Sequence, residues 1–326
     1  MIAIRSQLES RTYTQNWPVY DKSQIEEKVR FMELLGDLLK EIEDTEYSFG
    51  RPKIDNRDLL FSSALKVYTQ FSLRRFMSDL HAAKEKWLIK HEPCFASIGH
   101  YMQREDLKPL LLRLIQVSSL ALRSVETDFA VDSSGFRTTK FSDYCREKHN
   151  TEQSHEWLKC HIITGVKTNV ITGVEIGFEH HTADSPQFIP LVKSTYNNGF
   201  TIKEVSGDKA YLSRGNFDAV ADLGAIAYIP FKTNSNQHGR GGKVWNKMYY
   251  YFKLCNDEFM EHYHKRSNVE TTFFMVKSKF GDMIRSKTMT AQVNELLLKI
   301  LCHNICVLIG QMFELGIAPN FEVVNK

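Results

Sequence analysis

Four polar side chains recur at helical spacing towards the C-terminal end of this chain, and few folds can use such an arrangement. They are Tyr263, Arg266, Glu270 and Lys277, within the run YHKRSNVETTFFMVK. The run has no Pro or Gly before Gly281, so it is expected to form one helix. At about 100° per residue the four fall within roughly 60° of each other. A carboxylate, a guanidinium, an ammonium and a phenol therefore share one stripe. Val269, Phe273, Met275 and Val276 lie mostly elsewhere and are expected to face a core. A charged stripe is ordinarily a solvated face held by i,i+4 pairs. Here two further carboxylates stand at the ends of apolar runs. Asp132 follows Phe129-Ala130-Val131 and precedes Ser133-Ser134-Gly135, and Asp208 follows Val205-Ser206-Gly207. Both read as acids at strand ends beside glycine, where a sheet can present a carboxylate to a ligand. With Glu270 on a helix they would make a three-carboxylate site, and hard oxygen donors of that kind suit Mg2+ or Mn2+.

The spacing Tyr263-x2-Arg266-x3-Glu270-x6-Lys277, with Asp132 and Asp208 upstream, resembles the Y-R-E-K signature of insertion-sequence DDE transposases. The resemblance covers roughly Gly50 to Leu315. It implies an α/β fold, a ribonuclease-H-like (retroviral-integrase-like) catalytic core behind an N-terminal all-α helical region. It also implies DNA strand cleavage at element ends and strand transfer into target DNA. Asp132, Asp208 and Glu270 would be the catalytic and metal-binding residues. Asp132 would bridge two Mg2+ or Mn2+ ions about 3.5–4 Å apart, with Asp208 on one ion and Glu270 on the other. Arg266 would grip the DNA backbone as a fork and Lys277 as a point charge. Tyr263, Lys209, Arg240, Lys243, Trp245, Arg285 and Lys287 complete the expected DNA-binding set. The implied partners are double-stranded DNA, as terminal inverted repeats and target, and a second copy of the chain in an active homodimer.

Charge is distributed as such a function needs. The net charge is only +3, yet residues 1–49 hold six Lys/Arg against ten Asp/Glu, and residues 230–290 hold eleven against five. The positive region surrounds Glu270. With 42% hydrophobic residues the chain can bury a sizeable core, which excludes disorder by composition. The six cysteines form no C-x-x-C pair, so neither a zinc ribbon nor a disulfide framework is expected. Cys302 and Cys306, flanking His303, read as core residues. No signal peptide or membrane span is expected. The expected location is the prokaryotic cytoplasm, on the nucleoid when bound to DNA.

Residues 1–49 read as an arm and one helix from about Gln24 to Ile42, capped by Ser23. Residues 50–125 read as helical. Two helices there, from Asn56 to Val67 and from Ser72 onward, resemble either a DNA-binding helix-turn-helix or a plain helical hairpin. Arg51, Arg74, Arg75, Lys84 and Lys86 would suit phosphates. Residues 126–316 carry the core pattern, with strands at Phe129–Ser133, Lys159–Val166, Val170–Phe178, Thr201–Val205 and Ala225–Phe231. Helices near Pro186–Tyr196 and Asn216–Asp222 separate the later strands. His180 and His181 read as either a turn or a metal pair. Residues 232–250 read as a glycine-rich basic loop, in which Trp245 either stacks on an unpaired base or anchors the loop to the core. A final apolar helix runs from Ala291 to about Leu315, and 317–326 is a tail. Two other functions fit the same residues: a nuclease of this fold without strand transfer, and a catalytically silent DNA-binding relic.

Overall fold

The structure is a computed structural model, and it describes residues 16–40, 42, 53–138, 157–177, 184–236 and 242–321. The expectations for Arg51, His180, His181 and Arg240 lie outside these residues. Five strands form one sheet: β1 (Asp128–Arg137), β2 (Trp157–Gly165), β3 (Ile171–Gly177), β4 (Glu204–Gly207) and β5 (Ile226–Tyr228). Their spatial order is β3-β2-β1-β4-β5, with β1, β2 and β3 antiparallel and β4 and β5 parallel to β1. Three antiparallel strands followed by parallel additions beside β1 make the ribonuclease-H-like arrangement.

Alternation along β1 sorts the two faces of the sheet. Ala130 and Phe136 enter one core, with Cys160 and Ile162 of β2, whereas Phe129 and Val131 enter the other, with Ile163. The first core is filled from one side by α1 (Trp17–Leu38), α2 (Asn56–Thr69), α3 (Leu73–Glu85), α4 (Phe95–Tyr101) and α5 (Leu107–Ser119). The second is covered by α6 (Ser185–Asn197), α7 (Arg214–Asp222), α8 (Lys243–Leu254) and α9 (Asn256–His264). Two more helices, α10 (Ser267–Phe280) and α11 (Met289–Leu315), complete the first face.

The β2–β3 hairpin turns at Lys167-Thr168-Asn169, with Asn169 left-handed at φ 63°. The fully buried Glu126 carboxylate holds it. Glu126 accepts from the backbone N–H of Thr168 at 2.6 Å and of Lys167 at 3.2 Å, and from the Thr168 hydroxyl at 2.7 Å. A Cβ at Gly165 would lie 2.3 Å from Glu126 Cδ, so that approach needs glycine.

Several boundaries differ from the sequence reading. Pro18 lies in the first turn of α1, which begins at Trp17 within the expected arm, because its missing N–H and fixed φ suit that position. Ser23 lies inside that helix and donates to Tyr20 O instead of capping. The strand β1 runs four residues beyond Ser133, since its far end pairs with Met283 and Asp282. Lys243 to Leu254 form a helix, where a loop was expected.

Helix α11 is buried almost all round from Ala291 to Ile305. By length and composition it could cross a membrane, which the sequence reading excluded, but 72% of its most apolar stretch is buried in the protein. Its polar residues serve as fasteners. The Asn294 amide donates to Met102 O and Arg104 O, and that of Asn304 to Ile115 O and Ile171 O. Lys299 donates to Gly281 O and Met283 O. One helix therefore ties the N-terminal helices, β3 and the segment after α10 together.

Candidate active site

Parallel pairing places the two acids together, Asp132 in the middle of β1 instead of at its end as expected, and Asp208 just past β4. Val131 pairs with Gly207, so the next residue on each strand, Asp132 and Asp208, emerge side by side. Asp132 belongs to the face of Ala130 and Phe136, on which α10 packs. Its Oδ1 accepts from Ser133 N at 2.8 Å and its Oδ2 from Arg266 Nη1 at 2.6 Å. The other nitrogen of that guanidinium, Nη2, donates to Glu270 Oε1. Asp208 caps the short helical turn Lys209–Tyr211, accepting from Lys209 N at 2.6 Å.

Electrostatics bind these groups into one centre. Burial raises the Asp132 pKa, and the charges of Asp208 and Glu270 raise it further against the pull of Arg266 and the Ser133 N–H. Burial works to lower the pKa of Arg266. Asp132, Glu270 and Asp208 offset this, and its net shift is upward. Three acids thus act on one guanidinium. Lys277 stands apart from them. Its Nζ donates to Ser134 Oγ at 2.7 Å and lies 5.0 Å from the Phe136 ring centroid. Burial pushes its pKa down.

The signature run is not one helix. Tyr263 lies in the last turn of α9, which ends at His264; Lys265 and Arg266 form a turn, and α10 begins at Ser267. The backbone tightens there to i,i+3 bonds, from Arg266 N to Tyr263 O and from Val269 N to Arg266 O. The Asn268 side-chain amide takes up the Lys265 carbonyl at 2.9 Å. Lys265 itself is drawn to Asp128 and Glu204, at 2.7 Å from each. The one-stripe expectation survives because this turn keeps nearly helical backbone angles. Of the four apolar residues assigned to a core, Val269, Phe273 and Val276 are buried, and Met275 is exposed.

The expected DNA contacts scatter. Tyr263 is half-buried with its ring centroid 6.0 Å from the Arg266 guanidinium carbon. Lys209 and Lys243 are exposed. Arg285 and Lys287 are exposed on the segment linking α10 to α11, with Arg285 donating to Gln70 O. Trp245 corrects the base-stacking expectation. It is 8% exposed on α8, edge-on to Phe217 and Phe231, and its Nε1 donates to Asn236 O at 3.0 Å. The ring is core, and no face of it is open to a base. Helix α2 similarly is buried from Asp58 to Val67, whereas Arg74, Arg75, Lys84 and Lys86 on or just after α3 are exposed. Of that helix pair, only α3 can offer a face to a partner.

Sequence reasoning missed a polar network on the opposite face of β1. Ser133 Oγ donates to Asp184 Oδ1 at 3.1 Å, and Lys159 Nζ lies 2.5 Å from the same oxygen. His161 Nδ1 lies 3.4 Å from the Tyr211 hydroxyl. Burial lowers the His161 pKa to about 4. Its register opposite Ser133 places it behind the acids. The available signal was a lone His in the apolar run of β2.

Three carboxylates are the right donors for a hard cation, and their charges act on one another. Among the described residues, however, no three His, Cys, Asp or Glu side chains stand close enough together to hold an ion. The Arg266 guanidinium lies between Asp132 and Glu270 instead.

Residues 123–305, more than half of the chain, match the family described as transposase DDE domain. No curated protein matches the sequence. A solved structure described as the piggyBac transposase synaptic complex with hairpin DNA is similar at 10% identity and a TM-score of 0.41. That likeness covers 95% of this chain and 78% of the other.

Proposed function

Since the chain belongs to the transposase DDE-domain family, we propose that it cuts DNA at the ends of a mobile element and joins the freed 3′ ends to target DNA. The observation that supports this most is the Arg266 fork, which holds Asp132 at 2.6 Å and Glu270 together beside the strand-end Asp208. Asp132, Asp208 and Glu270 would hold the divalent cation, Mg2+ or Mn2+. When bound, it supplies a polarised phosphate and an activated oxygen nucleophile. For all three acids to serve, Arg266 must release at least one carboxylate. A DNA phosphate offers the guanidinium an alternative bidentate partner. In this reading Arg266 keeps the acids neutralised until DNA arrives and then grips the backbone. Lys277, positioned by Ser134, would place a point charge beside the same strand.

The partners in this reading are double-stranded DNA, as element ends and target, and a second copy of the chain. The test is cleavage and joining of a labelled element end with Mg2+ or Mn2+, comparing wild type with Glu270→Gln. Metal-dependent joined product, lost in the variant, supports the proposal. Cleavage without joining in the presence of target DNA identifies a nuclease. DNA binding without cleavage in either protein identifies a silent relic.

A further inference from the structure

The polar network behind the sheet is not explained by packing. His161 is 1% exposed, and its Nε2 has no partner among the described residues. A buried nitrogen without a hydrogen bond is costly, and an isoleucine, as at position 163 on the same face of β2, would fill the place without that cost. Asp184 departs from its local role in a similar way. It stands at the N-cap of α6, where an aspartate ordinarily accepts from its own helix, yet its side chain caps nothing there. Its Oδ1 instead accepts from the Ser133 hydroxyl at 3.1 Å, with Lys159 Nζ at 2.5 Å and His161 Nδ1 at 3.6 Å.

The network reaches both acids of the sheet. Ser133 follows Asp132 and turns to the opposite face of β1, while its N–H donates to Asp132 Oδ1 at 2.8 Å. Tyr211 is 1% exposed and belongs to the helical turn that Asp208 caps, with its N–H donating to Asp208 O at 2.9 Å. The Tyr211 hydroxyl lies 3.4 Å from His161 Nδ1. Burial raises its pKa, the charge of Asp184 adds to the rise, and a hydrogen bond with Ser133 works the other way. Asn216, itself buried, donates to Tyr211 O at 2.7 Å and to Ser185 Oγ at 3.2 Å. It fastens the Asp208 turn to the residue beside Asp184.

Bracing is needed at this point of the sheet. The ladder between β1 and β4 ends at Val131 and Gly207, one residue short of the acids. Beyond it the gap between Asp132 and Asp208 depends on side chains, and carboxylates that share a cation must be held to within about 0.5 Å.

We propose that Asp184 is a positioning residue for the acidic centre: through Ser133 and the His161–Tyr211 pair it sets the gap between Asp132 and Asp208, and with it their affinity for a divalent cation. The proposal rests on the transposase reading. Asp184 itself touches neither cation nor DNA in it.

The test compares wild type with Asp184→Asn, Ser133→Ala and Ser133→Thr. Mn2+ bound to the protein with an element-end duplex is read by electron paramagnetic resonance, and single-turnover cleavage is followed across a range of Mg2+. Asp184→Asn is expected to weaken Mn2+ binding roughly tenfold and to raise the half-saturating Mg2+ by a similar factor, the usual scale for a group that supports a metal ligand. Cleavage at saturating Mg2+ should return to within about threefold of wild type, and metal-free duplex binding should not change. Ser133→Ala should repeat the metal defect, and Ser133→Thr, which keeps the hydroxyl, should reverse it. That pair carries the test if Asp184→Asn fails to fold. Wild-type Mn2+ affinity and half-saturating Mg2+ in Asp184→Asn and Ser133→Ala would overturn the proposal even with a lowered Tm, because the network would then serve the fold alone. Failure of the transposase reading looks different: wild type itself then cleaves no element end, and Asp132→Asn binds as much Mn2+ as wild type.

Discussion

Lys265 and Arg266 are neighbours in sequence, and each holds two carboxylates, yet the two arrangements differ in kind. Lys265 lies 2.7 Å from both Asp128 and Glu204, the residues that open β1 and β4 and pair across the sheet. All three side chains are about one-third exposed or less, at 32%, 20% and 19%. Arg266 lies at the middle of β1, holding Asp132, which is 20% exposed, and Glu270, which is 57% exposed. The lysine clamps the opening residues of β1 and β4, away from the acids that the same strands deliver. The arginine binds one acid from the sheet and one from a helix that reaches into solvent. A clamp should matter to stability and little to activity, and a fork at an open acidic centre should do the reverse. The difference shows that a cation between two carboxylates says nothing about function until the exposure and origin of the carboxylates are known.

The largest expected effect breaks the Arg266 side of this comparison. Glu270→Gln keeps the shape of an exposed side chain and removes its charge. It should reduce element-end cleavage by roughly 10³-fold, about 4 kcal/mol of transition-state stabilisation, with the Tm unchanged. Single-turnover cleavage together with a thermal melt reads both quantities. A variant that cleaves like wild type would remove Glu270 from the site.

Next in size comes a buried ionisable group with no compensating charge. His303 is 2% exposed, its Nε2 lies 2.9 Å from Asn169 O, and burial lowers its pKa to about 4. The unfolded chain binds this proton near pH 6.5, so between 6.5 and 4 the unfolded state holds more protons than the native one. Stability is therefore fully present above about pH 6.5 and falls as the pH drops towards 4, by about 3 kcal/mol for this residue. Urea unfolding at stepped pH should show the decline, and His303→Gln should reduce it, leaving the part due to His161, whose pKa burial also lowers to about 4. An unchanged profile would mean that the native imidazole is already charged.

Arg266→Lys tests the fork itself. A lysine keeps the charge but cannot reach two acceptors in one plane. Cleavage should fall roughly 10²-fold, or about 2.7 kcal/mol, with weaker binding of duplex DNA and a Tm within a few degrees of wild type. A large drop in Tm with normal cleavage per folded molecule would make Arg266 a second structural clamp and erase the contrast with Lys265.

Much of this was legible in the chain. Asp132 and Asp208 end apolar runs beside glycine, and strand alternation then fixes their face. Glu270 and Arg266 are four apart, a spacing that survives even though the helix breaks between Tyr263 and Ser267. The break itself was not legible, because its cause is tertiary: Lys265 is drawn to acids 137 and 61 residues away. Trp245 misled for a similar reason. A glycine-rich basic neighbourhood suggests a loop, but Phe217 and Phe231 supply a pocket that only the fold assembles.

The smallest effect probes the other half of the comparison. Lys265→Met leaves Asp128 and Glu204 facing each other without their shared cation. Burial works against the charge of Lys265, and the two carboxylates raise its pKa regardless, so the native state favours the charged triad. Partial exposure screens the interaction, and the expected loss of stability is about 1–2 kcal/mol, well short of a fully buried pair. His262 Nδ1, at 2.9 Å from Glu204, can take up part of the deficit. Cleavage per folded molecule should stay within about twofold of wild type. The double variant Asp128→Asn/Lys265→Met decides whether the loss is electrostatic. Removing one acid along with the cation should recover part of the stability, whereas a loss due to packing alone would persist or add. If instead Lys265→Met abolishes cleavage while the fold stays intact, the clamp sets the position of the Arg266 turn. The two cations would then be one device, with Lys265 as a positioning residue for the acidic centre.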